Sequence, residues 1–365
     1  MDENGSTENM TYIRLPVKTT ENATVPEMIP TRLVAVIAVI IMSVFLLVGI
    51  LGTIWILTGL LRRTDMRGQV VNIFIVSLCI NDLLNLFNQV FVILSYIEMD
   101  WRMGKLLCAV VPEFSMFIAG SSLWHHAFIA IHRYIVVCQN NMYRRLSKQV
   151  YVAVVMVVTR IIPLCFVIPA FIIDMTIYVP KLLRCVFSPV YGQRTIAVLT
   201  VIIFIPFMVV SICFSVIFCF IHRAGRTSRM RDRTVQHEIQ ITKMFAVVFL
   251  VFFIGYIPYG MIRVADRDGQ LSPDAYVIVT ALYAIASSLN PIIYGGMNRS
   301  IRDACLDLSK CLKYLKHPNY DVNDQQNNGN IRLYLTNTNN CNEEPKTSDS
   351  LLARLIQAAM WCILM

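Results

Sequence analysis

Asp82 in NIFIVSLCINDLL, Arg133 in IAIHRYIVVC and Arg160 in VVTRIIPLCFVIPAF are charged residues set inside apolar runs, and His125, His126 and His132 accompany them. A charge in such surroundings is expensive, so it is expected to face a cavity, an ion or a polar partner. A carboxylate there can hold a cation, or it can be an acid satisfied by its neighbours. An arginine can exchange partners as a switch; for Arg160, pairing across a bundle and snorkelling to a helix end both stay open. His125 and His132 lie seven positions apart on one helix face. Two nitrogen ligands without a third do not make a metal site, so lipid- or helix-facing histidines are expected and metal chemistry is not. Enzymatic chemistry has no footing either: the sequence holds no HExxH, no GxSxG in a suitable span and no paired aspartates.

The elements that would position these residues are apolar helices. Of 365 residues, 56% are hydrophobic and 15% charged, whereas soluble domains run near a quarter charged. Hydrophobic runs recur at about 32–60, 69–96, 106–138, 149–173, 195–221, 241–264 and 273–296, each long enough for a spanning helix. The expected fold is an all-α membrane protein with seven transmembrane helices. A helix from Cys108 to Arg133 would be roughly 38 Å long, slightly more than the hydrocarbon thickness. The thirty residues before the first run lack the basic start and short apolar core of a cleavable signal peptide, so the first span is the expected insertion signal. No internal repeat and no file of acids along a path supports a transporter.

The net charge of +9 does not point to nucleic acid, because it is concentrated in alternate loops. Arg62, Arg63 and Arg67 follow the first span, Arg144, Arg145 and Lys148 the third, and Arg223, Arg226, Arg229, Arg231 and Arg233 the fifth. The positive-inside tendency places these loops in the cytoplasm, with the N-terminus outside and the C-terminus inside. Glycosylation acceptors at Asn4, Asn9 and Asn22 agree with that orientation. In this topology only Cys108 and Cys185 of eleven cysteines lie on the oxidising side, so one disulfide joining them is expected.

Pro163 and Pro169 stand in the fourth span, Pro206 in the fifth and Pro258 in the sixth, where each frees a backbone carbonyl and kinks its helix. After the seventh span Ile301, Cys305, Leu308, Leu312 and Leu315 recur at helical spacing against Arg302, Asp303, Lys310 and Lys313. That pattern predicts a short amphipathic eighth helix on the inner membrane face, in contact with lipid. The chain thus divides into a glycosylated N-terminal segment (1–31), the bundle (32–297), the amphipathic helix (298–316) and a polar, largely disordered tail (317–365). Cys362-Ile-Leu-Met has the form of a prenylation box, a pattern that also arises by chance.

Over about residues 32–316 the sequence resembles the rhodopsin-like family of G-protein-coupled receptors. The likeness rests on the order and spacing of SLCINDLL with Asp82, Trp101 before Cys108, HRY at His132–Tyr134, Pro206, FFIGYIP ending at Pro258, and NPIIY at Asn290–Tyr294. Phrases such as NIFIVSLCIND, IAIHRYIVVC, TIAVLTVIIFIP and LNPIIYGGMN are most similar to its melatonin-receptor-like and Moody-like branch. The resemblance implies a receptor in the plasma membrane that binds an extracellular ligand and activates a heterotrimeric G protein. It makes Arg133, with Tyr134 and Tyr294, the coupling switch, paired at rest with Glu238, twenty residues before Pro258. It makes Asp82, Ser122, Ser287 and Asn290 a polar cavity for an allosteric sodium ion. Several positions depart from the family: Thr53 replaces an asparagine, Tyr256 the toggle tryptophan, Phe214 a tyrosine, and the fourth span has no tryptophan. His132 replaces the acid that restrains the neighbouring arginine. A neutral histidine is a weaker restraint and a protonated one would repel Arg133, so appreciable basal signalling is expected.

Alignment to the family also narrows the ligand. Ser115 stands where receptors for cationic amines carry aspartate, and Ala284 where light-sensing relatives form a retinal Schiff base. Gln89, Ser115, Met116, Ala119, Val198, Tyr256, Tyr259 and Tyr283 would line an apolar, aromatic cavity with few polar handles, with Arg263 near its mouth. An uncharged or acidic small molecule fits that inventory; an acidic peptide, met by the basic loop at Lys181 and Arg184, is the alternative.

Overall fold

The computed structural model describes residues 29–63, 69–139, 149–172, 176–187, 200–224, 233–266 and 270–316. Asn4, Asn9, Asn22, Val198, Cys362 and the tail lie outside them. Seven spans follow one another: α1 (Arg32–Arg62), α2 (Val70–Glu98), α3 (Gly104–Cys138), α4 (Gln149–Ile172), α5 (Ile205–Ala224), α6 (Arg233–Ala265), and a seventh made of α7 (Pro273–Ser288) and α8 (Asn290–Met297) end to end. Six of the spans are long and apolar enough to cross a membrane, while the apolar helix within α4 is the shorter Val154–Pro169. Exposed leucine, isoleucine and valine cover α1 and α5, which is the surface a bilayer would solvate.

Proline places the irregularities. Pro206 has no N–H to give and its ring crowds the carbonyl one turn earlier, and there the fifth span opens as a π-helical turn, Thr200–Phe204. Pro291 enters the first turn of α8, where a missing N–H costs nothing, and the seventh span breaks at Leu289 just before it. Gly120 permits a close crossing: a Cβ there would stand 2.6 Å from Ile202 and 3.0 Å from Pro163, so α3 meets α4 and the π turn without a side chain between them.

The all-α, seven-helix bundle is the fold observed, with one short β element in a loop. Between α4 and α5, β1 (Thr176–Val179) and β2 (Arg184–Phe187) form an antiparallel hairpin with Tyr178 opposite Cys185. Its residues, TIYV and RCVF, are largely β-branched or aromatic, and Pro180 starts the tight turn between them. The Cys108–Cys185 disulfide fixes the hairpin to the start of α3. Trp101 packs against that bond and donates its indole N–H to Gly104 O at 3.1 Å.

The amphipathic helix is α9 (Arg299–Lys316). Ile301, Ala304 and Leu308 are buried against α1, while Arg302 and Asp303 are exposed. Arg63 Nη2 reaches Asp307 at 2.6 Å, tying α9 to the turn after α1. The largest core cluster lies nearby and joins residues of α1, α2, α3, α4, α6, α8 and α9, among them Phe74, Ile129, Met156, Phe245 and Tyr294.

Candidate functional site

The functional candidates are grouped around α3 between Cys108 and Arg133, on α3 itself and on α2, α6, α7 and α8. At the far end Arg133 is 1% exposed, and its Nη1 donates to Glu238 Oε2 on α6 at 2.8 Å. Its Nη2 lies 3.0 Å from His132 Nδ1. A guanidinium is only a donor, so Nδ1 must be the acceptor and the ring is neutral with its proton on Nε2. His132 is buried, edge-on to Phe74 with ring centroids 5.4 Å apart. The adjacent position thus restrains the arginine through an uncharged acceptor. A neutral acceptor lacks the Coulombic attraction that a carboxylate would add at this position. Tyr294 on α8 is fully buried, and its hydroxyl has no partner among the described residues. Tyr134 is half-buried on α3 and accepts from Gln139 Nε2 at 3.0 Å.

In the middle of the bundle Asn290 Nδ2 donates to Asp82 Oδ1 at 2.9 Å. Asp82 Oδ2 is buried without a donor among the described residues. Ser287 is turned elsewhere: it donates to Ala284 O at 3.0 Å and accepts from Gln89 Nε2 at 2.6 Å. Ser122 is buried on α3, and its carbonyl takes the bond from His126 Nδ1. Thr53 spends its hydroxyl on Gly49 O within its own helix, so it does not support Asp82 as an asparagine would. The donor set is oxygen-rich and leaves one carboxylate oxygen unengaged, which fits a hard cation such as sodium.

Arg160 pairs across the bundle rather than snorkelling. Its Nη2 donates to Ser77 Oγ at 3.2 Å and reaches Asn81 Oδ1 at 3.5 Å, both on α2. Ser77 Oγ is in turn bonded to His125 Nε2 at 2.8 Å. His125 and His126 face the interior, each with Nδ1 on the carbonyl one turn back.

Toward the disulfide end the aromatic lining is present, and it is more polar than the sequence suggests. Tyr256 stacks on Phe252 and lies edge-on to Tyr283, and the two tyrosine hydroxyls are 2.8 Å apart. Tyr283 donates to Asn85 Oδ1 at 2.6 Å, and Asn88 Nδ2 to Ser115 Oγ at 2.7 Å. Asn85 and Asn88 are not among the residues expected to line the cavity; the spacing of Asn81, Asn85 and Asn88 puts them on one helix face, but only their partners on α3 and α7 mark them as part of the site. Met116 and Ala119 are half-buried on α3, one on each side of the Ile118 position that faces the core. Arg263 is placed on α6, and its side chain lies outside the described residues.

The hairpin is strapped over this end. Lys181 forms an ion pair with Asp266, which also accepts from Tyr276 at 2.8 Å and from the Leu271 N–H at 2.9 Å. Burial by itself would raise the Asp266 carboxyl, but the Leu271 N–H, then Lys181 and Tyr276, hold it below the ordinary 3.8. Arg184 lies 4.7 Å over the ring of Tyr259. Lys181 therefore already has its carboxylate, which weakens the case for an acidic peptide at this loop.

Comparison with known proteins agrees with this layout. The model of the seven-transmembrane receptor (rhodopsin family) group matches residues 52–294. The chain is 24% identical over 337 residues to the G-protein coupled receptor moody of Drosophila melanogaster, covering 73% of this chain and 50% of that protein. It is 28% identical over 271 residues to melatonin receptor type 1B of Mus musculus, covering 70% and 72%, and 22% identical to protein trapped in endoderm-1 of Drosophila melanogaster, covering 77% and 79%. The chain thus spans about half the length of the Moody receptor it matches.

Proposed function

This chain belongs to the rhodopsin family of seven-transmembrane receptors, and from that premise we propose that it carries a signal from an extracellular ligand to a heterotrimeric G protein across the plasma membrane. The N-terminus and the disulfide end lie outside, and Arg133 and the C-terminus inside. The observation that carries the proposal is the Arg133–Glu238 pair, 2.8 Å between helices α3 and α6, with the arginine almost completely buried. A buried charge holds its partner or pays heavily for losing it, so the paired state is a defined resting state. Separation of α6 frees Arg133 for the G protein, and each state is favoured by its own contacts. Asp82, with its unengaged Oδ2, and Asn290 would hold the sodium ion, which adds a positive charge that favours the closed bundle. The ligand is a non-amine small molecule received among Gln89, Ser115, Tyr256, Tyr259 and Tyr283.

The test is guanine-nucleotide exchange on purified G-protein α subunits with the full chain in nanodiscs. Exchange above empty nanodiscs is expected, and Arg133→Ala should abolish it. No acceleration across the G-protein subtypes, or full activity in Arg133→Ala, overturns the proposal.

A further inference from the structure

At the disulfide-facing half of the bundle α2 presents two neighbouring buried amides, each turned by a serine. Asn88 Nδ2 donates to Ser115 Oγ at 2.7 Å on α3, and Gln89 Nε2 to Ser287 Oγ at 2.6 Å on α7. Both serine protons are already committed within their own helices, Ser115 to Val111 O at 2.7 Å and Ser287 to Ala284 O at 3.0 Å. The hydroxyls can then only accept from the amides, which fixes the orientation of both and turns Asn88 Oδ1 and Gln89 Oε1 away from the serines. Neither carbonyl oxygen has a donor among the described residues, although the side chains are only 5% and 2% exposed. The nearby phenols are already used: Tyr283 gives its proton to Asn85 Oδ1, so Tyr256 must give its own to Tyr283. The serine and phenol protons of this corner are all committed, and the two amide oxygens are left without a donor among the described residues.

Buried carbonyls without donors are rare and costly, so two on adjacent residues call for an occupant. We infer that Asn88 Oδ1 and Gln89 Oε1 recognise an uncharged small molecule that brings its own hydrogen-bond donor, an amide N–H or a hydroxyl, into the bundle. This rests on the ligand site proposed above and narrows it from uncharged or acidic to uncharged and donating. A carboxylate would set its oxygens against two carbonyl oxygens. An ammonium would need a counter-ion, and the side chains bonded to these amides are hydroxyls. Glu113, buried with both oxygens unpartnered, stands two residues before Ser115, roughly 200° around the helix and so on another face of α3.

The test uses the full chain in nanodiscs with three matched probes at millimolar concentration: acetanilide, its N-methyl derivative and phenylacetate. Acetanilide should raise the thermal midpoint, and the N-methyl form should bind roughly five- to tenfold more weakly, as the loss of one hydrogen bond dictates. Phenylacetate should bind more weakly still. Asn88→Leu and Gln89→Met should each weaken acetanilide by a similar factor and leave the N-methyl derivative unchanged, with each variant's own midpoint reporting its folding. The comparison of probes on the unaltered chain needs no variant. Phenylacetate binding as well as acetanilide, no penalty for N-methylation, or no probe binding at all, which would mean that water alone satisfies the carbonyls, overturns the inference. Nucleotide exchange on the same preparations separates the two proposals: a sample that exchanges but shows no amide preference defeats this one alone, and a sample that does not exchange defeats the receptor proposal.

Discussion

The two ends of α3 are held in opposite ways. At Cys108 a covalent bond anchors the hairpin, Trp101 packs on that bond, and Lys181–Asp266 and Arg184 over Tyr259 strap the same hairpin to α6 and α7. At Arg133 the interhelical tie is an ion pair to Glu238, backed by a hydrogen bond to a neutral histidine. One end is fixed and the other is releasable. On the function proposed above, a change at the fixed end is transmitted by opening the other.

The comparison breaks first if the fixed end is not a source of stability. Closing a loop of 77 residues by the Cys108–Cys185 bond contributes roughly 4 kcal/mol through the unfolded chain. Cys108→Ser with Cys185→Ser should therefore give a large fall in thermal midpoint and in surface expression; a variant as stable as the parent would refute the distinction. At the releasable end the effect should be on signalling. Glu238→Gln removes the charge facing Arg133, and basal nucleotide exchange should rise several-fold while the midpoint moves less than in the cysteine variant. Unchanged exchange would mean that the pair does not hold the resting state.

A smaller effect is expected at the strap. Lys181→Met should lower the midpoint by an amount worth roughly 1–3 kcal/mol, between an exposed and a buried pair. Its pH dependence has a definite sign. Asp266 has its carboxyl lowered from 3.8 in the folded chain, so its contribution is present above that value and lost as pH falls through the still lower folded value. The loss of midpoint in Lys181→Met should be constant from pH 8 to pH 5 and shrink only as pH falls below 3.8; a loss that changes between pH 8 and pH 5 would contradict this.

Much of this architecture was legible because the signals are periodic or stoichiometric. Apolar runs mark all seven spans, although the apolar helix within the fourth is the shorter Val154–Pro169, and the expected orientation leaves Cys108 and Cys185 as partners. The hairpin was not legible, because four-residue strands in a loop carry too little pattern and depend on the disulfide to pair them. The amide stripe of α2 was hidden for another reason. Asn85 and Asn88 look like polar interruptions of a span until the serines and tyrosines that orient them, on α3 and α7, are brought within hydrogen-bond distance. Arg160 shows the same limit: its length allowed two destinations, and only the placement of Ser77 and Asn81 selects one. His132 could be read as a weakened restraint, whereas the accepting Nδ1 needed coordinates.

That histidine gives the most direct test. Basal nucleotide exchange of His132→Asp is compared with the unaltered chain at equal surface expression. Replacing a neutral acceptor of Arg133 with a carboxylate should lower exchange several-fold, because an ion pair adds Coulombic attraction to the hydrogen bond. Exchange that stays the same or rises would contradict the claim that the releasable end of α3 is lightly held.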